Sequence, residues 1–264
     1  EREREVSLYI SLTQMQDLSQ SLSEQGITCI PTPYIRPLEE RPKIAHNAFS
    51  NHKINNIPII DLCQPHRKNL IEEISQACEL YGFFQIINHG IRIEIFEKVL
   101  ELGSLFFALA SHEKVVFACR EGVVASEGYG HKMLVQENQI LDWRDYFDHH
   151  TLPLSRRNTE NCLNNPPAYR RMIEEYNEQM KLLAKRLLSL ISESLGLKSS
   201  YIQEAIGEPY QNISLNFYPP CPEPELTLGL QSHSDLGAIT LLLQDEVGGV
   251  EYECIMAVFT LSLG

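Results

Sequence analysis

The chain has 264 residues, 43% of them hydrophobic, seven cysteines and a formal net charge of −13, enough length and apolar content to bury a sizeable core and to predict one domain with a helical N-terminal part. Its acidity, with no basic run and no interleaving of aromatic and basic residues, disfavours nucleic acid or anionic membrane as a partner and suits a neutral or weakly charged small substrate. An odd number of cysteines without a Cys-x-x-Cys pair argues against a disulfide framework and for a reducing, cytoplasmic setting, while no apolar signal core follows Glu1–Glu5 and no run reaches the roughly 18 apolar residues of a membrane helix.

In chain order, Val6, Met15, Leu18 and Leu22 fall near helical spacing and predict a weakly amphipathic leader helix over residues 6–24. Pro31 to Pro42 reads as extended. Ile57 to Leu62 reads as a first strand, and Leu70, Ile71, Ile74, Ala77, Cys78 and Tyr81 then follow a 3.6-residue period until Gly82 stops the helix. Phe83 to Ile87 is a second strand, and a helix is expected from about Ile91 to Leu109. The longest helix should run from near Pro167 to Leu195, with Gly196 just past its end and an apolar stripe of Met172, Ile173, Tyr176, Met180, Leu183, Leu187, Leu190 and Ile191 that backs a sheet. From Gln211 to Val250 the pattern is strand, proline-rich turn, strand, glycine turn, strand, and antiparallel strands joined by such turns fit a double-sheet jelly roll of the cupin kind.

Two neighbouring stretches carry the chemistry: Asn216-Phe217-Tyr218-Pro219-Pro220-Cys221-Pro222 and Gln231-Ser232-His233-Ser234-Asp235. Side chains on a strand alternate faces, so His233 and Asp235 should project from one side and grip a single ion together. One imidazole and one carboxylate make two thirds of the facial triad that holds non-haem Fe(II) in oxygenases. The tripeptide His-any-Asp arises by chance in roughly one chain in four of this length, so its weight comes from context. Other chemistries are absent from the pattern. There is no Gly-x-Ser-x-Gly elbow and no phosphate loop, and Gly128-Tyr129-Gly130 lacks the third glycine and the strand and helix of a dinucleotide site.

That context resembles a known family. Asn216-Phe217-Tyr218-Pro219, Cys221-Pro222, Leu228-Gly229-Leu230, His233-Ser234-Asp235, Gly237 to Asp245 and Gly248-Gly249 look like the catalytic core of the plant 2-oxoglutarate/Fe(II)-dependent dioxygenases. Ile57 to Leu62, Ala77-Cys78, Tyr81 to Gly90 and Glu113-Lys114 are similar to the region these enzymes carry ahead of that core, and Gln20 to Pro42 resembles their leader. The resemblance covers roughly residues 14–250. It implies a leader over 1–56, an N-terminal region over 57–165, a partial core over 166–250 and a divergent tail over 251–264, in a mainly β, α+β jelly-roll fold with a long backing helix.

What the resemblance implies for the site follows residue by residue. His233 and Asp235 would be the iron ligands. Asn216 and Tyr218 would line the 2-oxoglutarate site, with Tyr218 hydrogen-bonding the distal carboxylate; a core tyrosine is the plain alternative. Tyr146 and Phe147, after Trp143-Arg144-Asp145, would border the substrate pocket. His89 sits where a strand turns into a helix and is expected to be structural, His149 and His150 point oppositely on a strand and cannot serve one metal, and His46, His52, His66, His112 and His131 lie in polar stretches. Fe(II), 2-oxoglutarate and O2 are the implied cofactors, with ascorbate as an optional addition, and the implied partner is a small organic molecule bound by a monomer, with hydroxylation the default outcome.

The family's second iron-binding His, and an Arg followed two residues later by Ser that binds the co-substrate carboxylate, are not matched. No histidine follows Asp235 and no Lys or Arg follows Lys198. The sequence therefore predicts that both iron and co-substrate binding are impaired, since the bidentate guanidinium that would neutralise a dicarboxylate is missing from Ser199 onward, with a truncated or mis-spliced gene as the expected cause. Three rivals stay open: a non-catalytic small-molecule binder on the same scaffold, a non-functional fragment, and an oxidase of this fold that does not use 2-oxoglutarate.

Overall fold

The computed structural model describes residues 18–42, 57–118, 127–130, 140–156, 166–235 and 237–247, together with the backbone of 258–261. The leader before Leu18, His46, His52, His131, Gly248-Gly249 and most of the tail lie outside them. In chain order the elements are α1 (Ser19–Glu24), β1 (Ile59–Asp61), α2 (Arg67–Leu80), β2 (Phe83–Ile87), α3 (Ile93–Phe107), α4 (Ser111–Lys114), β3 (Gly128–Gly130), β4 (Asp145–Leu152), α5 (Tyr169–Ser194), α6 (Tyr201–Ile206), β5 (Gln211–Phe217), β6 (Thr240–Leu243) and β7 (Val258–Leu261). No helix among the described residues is long and apolar enough to cross a membrane. The chain divides into two compact units, the first formed by residues 1–48, 103–166 and 210–232 and the second by 49–102, 167–209 and 233–264. These cut across the four segments expected from the sequence.

The first unit is built on an antiparallel sheet in the order β3-β4-β5. Its core is aromatic: Phe106 lies 4.8 Å from Phe147 and 5.7 Å from Tyr129, and Phe107 stacks on Phe217 at 5.0 Å. Contacts of this kind, edge-to-face for Phe106 on Tyr129 and stacked for Phe107 on Phe217, add to area burial through the quadrupoles of the rings. The leader is pinned to this unit by backbone groups. Leu141 N donates to Pro33 O, Arg36 N to Leu226 O, and Ile30 N to the Glu223 carboxylate. Pro31 to Pro42, expected to be extended, instead contains 3-10 turns at Thr32–Tyr34 and Leu38–Glu40, because prolines at the turn starts preset the required φ.

A polar network is buried in the same unit. The Asp145 carboxylate accepts the backbone N–H groups of Ser19 and Gln20 and the Tyr129 hydroxyl, and Lys114 Nζ donates to Gln20 Oε1 and Phe107 O, each at 2.7 Å. Burial raises the Asp145 pKa to about 6 against the pull of those hydrogen bonds, and burial lowers that of Lys114.

The second unit pairs helices with a four-stranded sheet. In α2, Leu70, Ile74 and Ala77 are buried at helical spacing, and Gly82, at φ 61°, ends the helix with its N–H on Ala77 O. The α5 stripe of Tyr169, Ile173, Tyr176, Met180, Leu183, Leu187 and Leu190 is buried as the sequence period requires, and Gly196 follows in the left-handed region at φ 72°. This helix packs chiefly on α2 and α6, while α2 lies against β1 and β2, so the expected backing of the sheet by α5 is taken mainly by α2. The sheet order is β1-β2-β7-β6 and all its pairings are parallel. Of the strands after the long helix, β5 pairs antiparallel with β4, which precedes that helix, while β6 and β7 pair parallel, so the antiparallel succession expected there is not seen among the described residues. Residues 244–257 between β6 and β7 are long enough for the crossover that a parallel pair needs.

Candidate functional site

The site residues fall into two groups, one in each unit. In the first unit the β4–β5 ladder sets Asp145 opposite Phe217, Tyr146 opposite Asn216 and Phe147 opposite Leu215. Directly opposed residues on antiparallel strands share a face, so Tyr146 and Asn216 lie together, and by alternation Arg144 and Tyr218 extend the same face by one residue pair. Arg144 Nη1 donates to Asn216 Oδ1 at 2.7 Å and the guanidinium also hydrogen-bonds the Tyr218 hydroxyl. Its carbon lies 5.6 Å over the Tyr146 ring, a cation–π arrangement. Arg144 and Tyr146 are buried; Tyr218 keeps 50% of its surface exposed, which removes the core-tyrosine alternative. Burial pushes the Tyr218 phenol up and the Arg144 charge pulls it down.

Phe147 points to the other face, into the aromatic cluster with Phe106 and 5.2 Å from His149. Of the two pocket candidates, only Tyr146 shares the face of Asn216 and Tyr218. A glycine is required under Tyr218: a Cβ at Gly229 would meet Tyr218 Cδ1 at 2.8 Å, closer than any real contact. The chain on either side of it is held, after Gly229 by the buried Arg36–Asp142 ion pair, whose carboxylate accepts the N–H of Gln231 at 3.0 Å, and before it by Trp143 Nε1 donating to Pro219 O.

In the second unit His233 and Asp235 are not on a strand; they lie in an irregular stretch ahead of β6. The expected strand is corrected here, yet the pair still converges, with His233 Nε2 3.4 Å from Asp235 Oδ1. Thr240, the first residue of β6, donates its hydroxyl to Asp235 Oδ2 at 2.5 Å. That bond occupies one carboxylate oxygen and leaves the other facing the imidazole, the support that ligating carboxylates ordinarily receive from a neighbour. Imidazole nitrogen plus carboxylate oxygen suits a divalent iron, so this pair fits as two donors for the metal. Among the described residues no group of three or more His, Cys, Asp or Glu is placed to hold one.

Of the remaining histidines, five lie among the described residues, and His46, His52 and His131 do not. His89 Nδ1 accepts the N–H of Ile91 and its ring packs 5.2 Å from Phe96, a structural role. His149 and His150 alternate along β4, and His66 and His112 are exposed. Arg144, Gly229 and Thr240 were not singled out by sequence reasoning. The Gly229 and Thr240 positions sit inside motif stretches, but the closeness of Arg144 to Tyr218 depends on strand register, for which the sequence carries no signal. The absence of Lys and Arg after Lys198 stands, and the register brings to β5 a guanidinium from outside that stretch.

Residues 57–170 match the family model for the N-terminal region of non-haem dioxygenases in morphine synthesis, and residues 209–261 match that of the 2OG-Fe(II) oxygenase superfamily. Jasmonate-induced oxygenase 4 of Arabidopsis thaliana is 39% identical over 88% of this chain and 66% of its own length; flavanone 3-dioxygenase 2 of Oryza sativa subsp. japonica is 36% identical over 88% and 66%. The crystal structure of JOX2 in complex with 2OG, Fe and JA superposes with a TM-score of 0.73 at 35% identity, covering 84% of this chain and 62% of that one. The chain thus spans somewhat under two thirds of the length of these relatives, and its fold class is that of their jelly-roll oxygenases. Matched by both family models and by relatives across most of its length, the chain belongs to the plant 2-oxoglutarate/Fe(II)-dependent dioxygenase family.

Proposed function

We propose that this chain carries iron-binding and 2-oxoglutarate-binding residues of a dioxygenase that hydroxylates a small organic metabolite in plant specialised or hormone metabolism. The convergence of His233 Nε2 and Asp235 Oδ1 at 3.4 Å, with Thr240 fixing the other carboxylate oxygen, carries this reading. In it, His233 and Asp235 hold the metal, Tyr218 donates its hydroxyl proton to the distal carboxylate of 2-oxoglutarate with Asn216 beside it, and Tyr146 shapes the same face. The chemistry that bound Fe(II) supplies with 2-oxoglutarate and O2 is oxidation of a substrate C–H bond coupled to conversion of 2-oxoglutarate to succinate and carbon dioxide. The relatives' names, which include a flavanone dioxygenase and oxygenases induced by jasmonate, support a small organic substrate. Free thiols at the exposed Cys29 and Cys63 support a reducing, cytoplasmic setting.

These 264 residues offer two of the triad's three donors, so Fe(II) should bind weakly and succinate release should stay at background. A second reading, a non-catalytic small-molecule binder, is favoured by the absence of a three-donor group among the described residues. Anaerobic calorimetric titration with Fe(II) tests the assignment: His233→Ala and Asp235→Ala should each abolish the binding seen in the parent chain. Unchanged affinity in both variants would refute the site, and robust iron-dependent succinate production would refute the impairment.

A further inference from the structure

Arg144 stands just before β4, and the β4–β5 register brings it level with Tyr218, two residues past Asn216. A guanidinium has five N–H donors and no acceptor. Its two partners must therefore accept: Asn216 through Oδ1 at 2.7 Å and Tyr218 through its phenolic oxygen. Each oxygen keeps a further lone pair, but with the guanidinium drawn to that side, the hydrogens the partners can still give are the Nδ2 hydrogens of Asn216 and the single O–H proton of Tyr218. Arg144 is buried, at 7% exposure, while Asn216 and Tyr218 are exposed. A buried cation thus polarises two side chains that could otherwise donate or accept, and presents their donors on one accessible face.

We propose that Arg144 is a positioning residue that makes the Asn216–Tyr218 face selective for the distal carboxylate of 2-oxoglutarate. The proposal rests on the reading of that face given under the proposed function. Carboxylates only accept when ionised, so a face of converging donors recognises them and rejects ligands that end in an alkyl group. The positive charge also favours an anion placed beside it, and the stacking of the guanidinium over Tyr146 fixes its plane.

The test measures binding rather than turnover. The chain is titrated anaerobically with 2-oxoglutarate and, separately, with 2-oxobutyrate, which lacks the distal carboxylate, with Mn(II) in place of Fe(II). The parent chain should prefer 2-oxoglutarate, and Arg144→Gln should weaken 2-oxoglutarate about tenfold or more while leaving 2-oxobutyrate nearly unchanged, the size expected for losing charge-assisted hydrogen bonds. Tyr218→Phe should collapse the preference to a similar degree, and adding Arg144→Gln to it should change little further. Should Arg144→Gln fail to fold, Arg144→Lys, which keeps the charge but cannot reach both partners with a planar fork, should lie between parent and Tyr218→Phe. Parent-like affinity and preference in the Arg144 variants, with Tyr218→Phe impaired, would overturn the role of Arg144 and leave the 2-oxoglutarate reading intact. No saturable 2-oxoglutarate binding in the parent chain would overturn both.

Discussion

The β4–β5 face and the His233–Asp235 stretch are prepared in different ways. The face sits on a sheet whose register fixes Arg144, Tyr146, Asn216 and Tyr218, with a buried cation behind it and a glycine beneath its tyrosine. The stretch has half-exposed side chains, no ladder of its own, and the Thr240 hydroxyl holding its carboxylate. Sites built on strands hold geometry more closely than sites on loops. On the proposed reading, carboxylate recognition would be set when the chain folds, whereas the metal pair would be completed by the metal itself, as is common when ligands must still converge.

The contrast can be broken most strongly from the side of the sheet. Asp145→Ala leaves two leader N–H groups, the Tyr129 hydroxyl and Lys114 without their buried carboxylate, and should cost about 3–5 kcal/mol of stability, read as a large fall in denaturant midpoint. A loss below about 1 kcal/mol would show that the network is not structural. The same residue gives the unit a pH signature. With its folded pKa raised to about 6, Asp145 holds a proton in the folded state that the unfolded chain has already released. Its contribution therefore favours folding below about pH 4 and is lost as pH rises through about 6, by up to about 3 kcal/mol. Asp145→Asn cannot ionise, and its stability relative to the parent should rise across that window; parallel pH profiles would contradict the assignment.

On the other side, Thr240→Val should leave global stability within about 1 kcal/mol yet weaken Fe(II) binding about tenfold, because the Asp235 carboxylate loses its support. Equal metal affinity in a titration would mean the His233–Asp235 stretch needs no help from β6. The smallest effect is expected from Gly229→Ala, which must displace the Tyr218 ring for about 1 kcal/mol. It should weaken 2-oxoglutarate binding without touching metal affinity, and an effect on the metal alone would reverse the division between the two regions.

Much of this was legible before any coordinates. The buried stripe of α5 and its stop at Gly196, the α2 period ending at Gly82, and β2 over Phe83–Ile87 follow from local spacing and glycine conformation. His233, Asp235, Asn216 and Tyr218 are proposed from motif residues, and their roles are the ones the titrations above would test. What the sequence could not carry was pairing. The parallel order of β6 and β7 and the meeting of Arg144 with Tyr218 depend on registers between strands distant in sequence. The His233–Asp235 stretch was misread as strand because its i, i+2 spacing suits alternation but does not show whether the backbone finds a pairing strand.

The central claim is that His233 gives iron its single imidazole in this chain. X-ray absorption at the iron edge, on protein loaded anaerobically with Fe(II), tests it directly. The spectrum should contain one imidazole among oxygen ligands, and His233→Ala should remove it. Two or more imidazoles, or a spectrum unchanged in His233→Ala, would contradict the account.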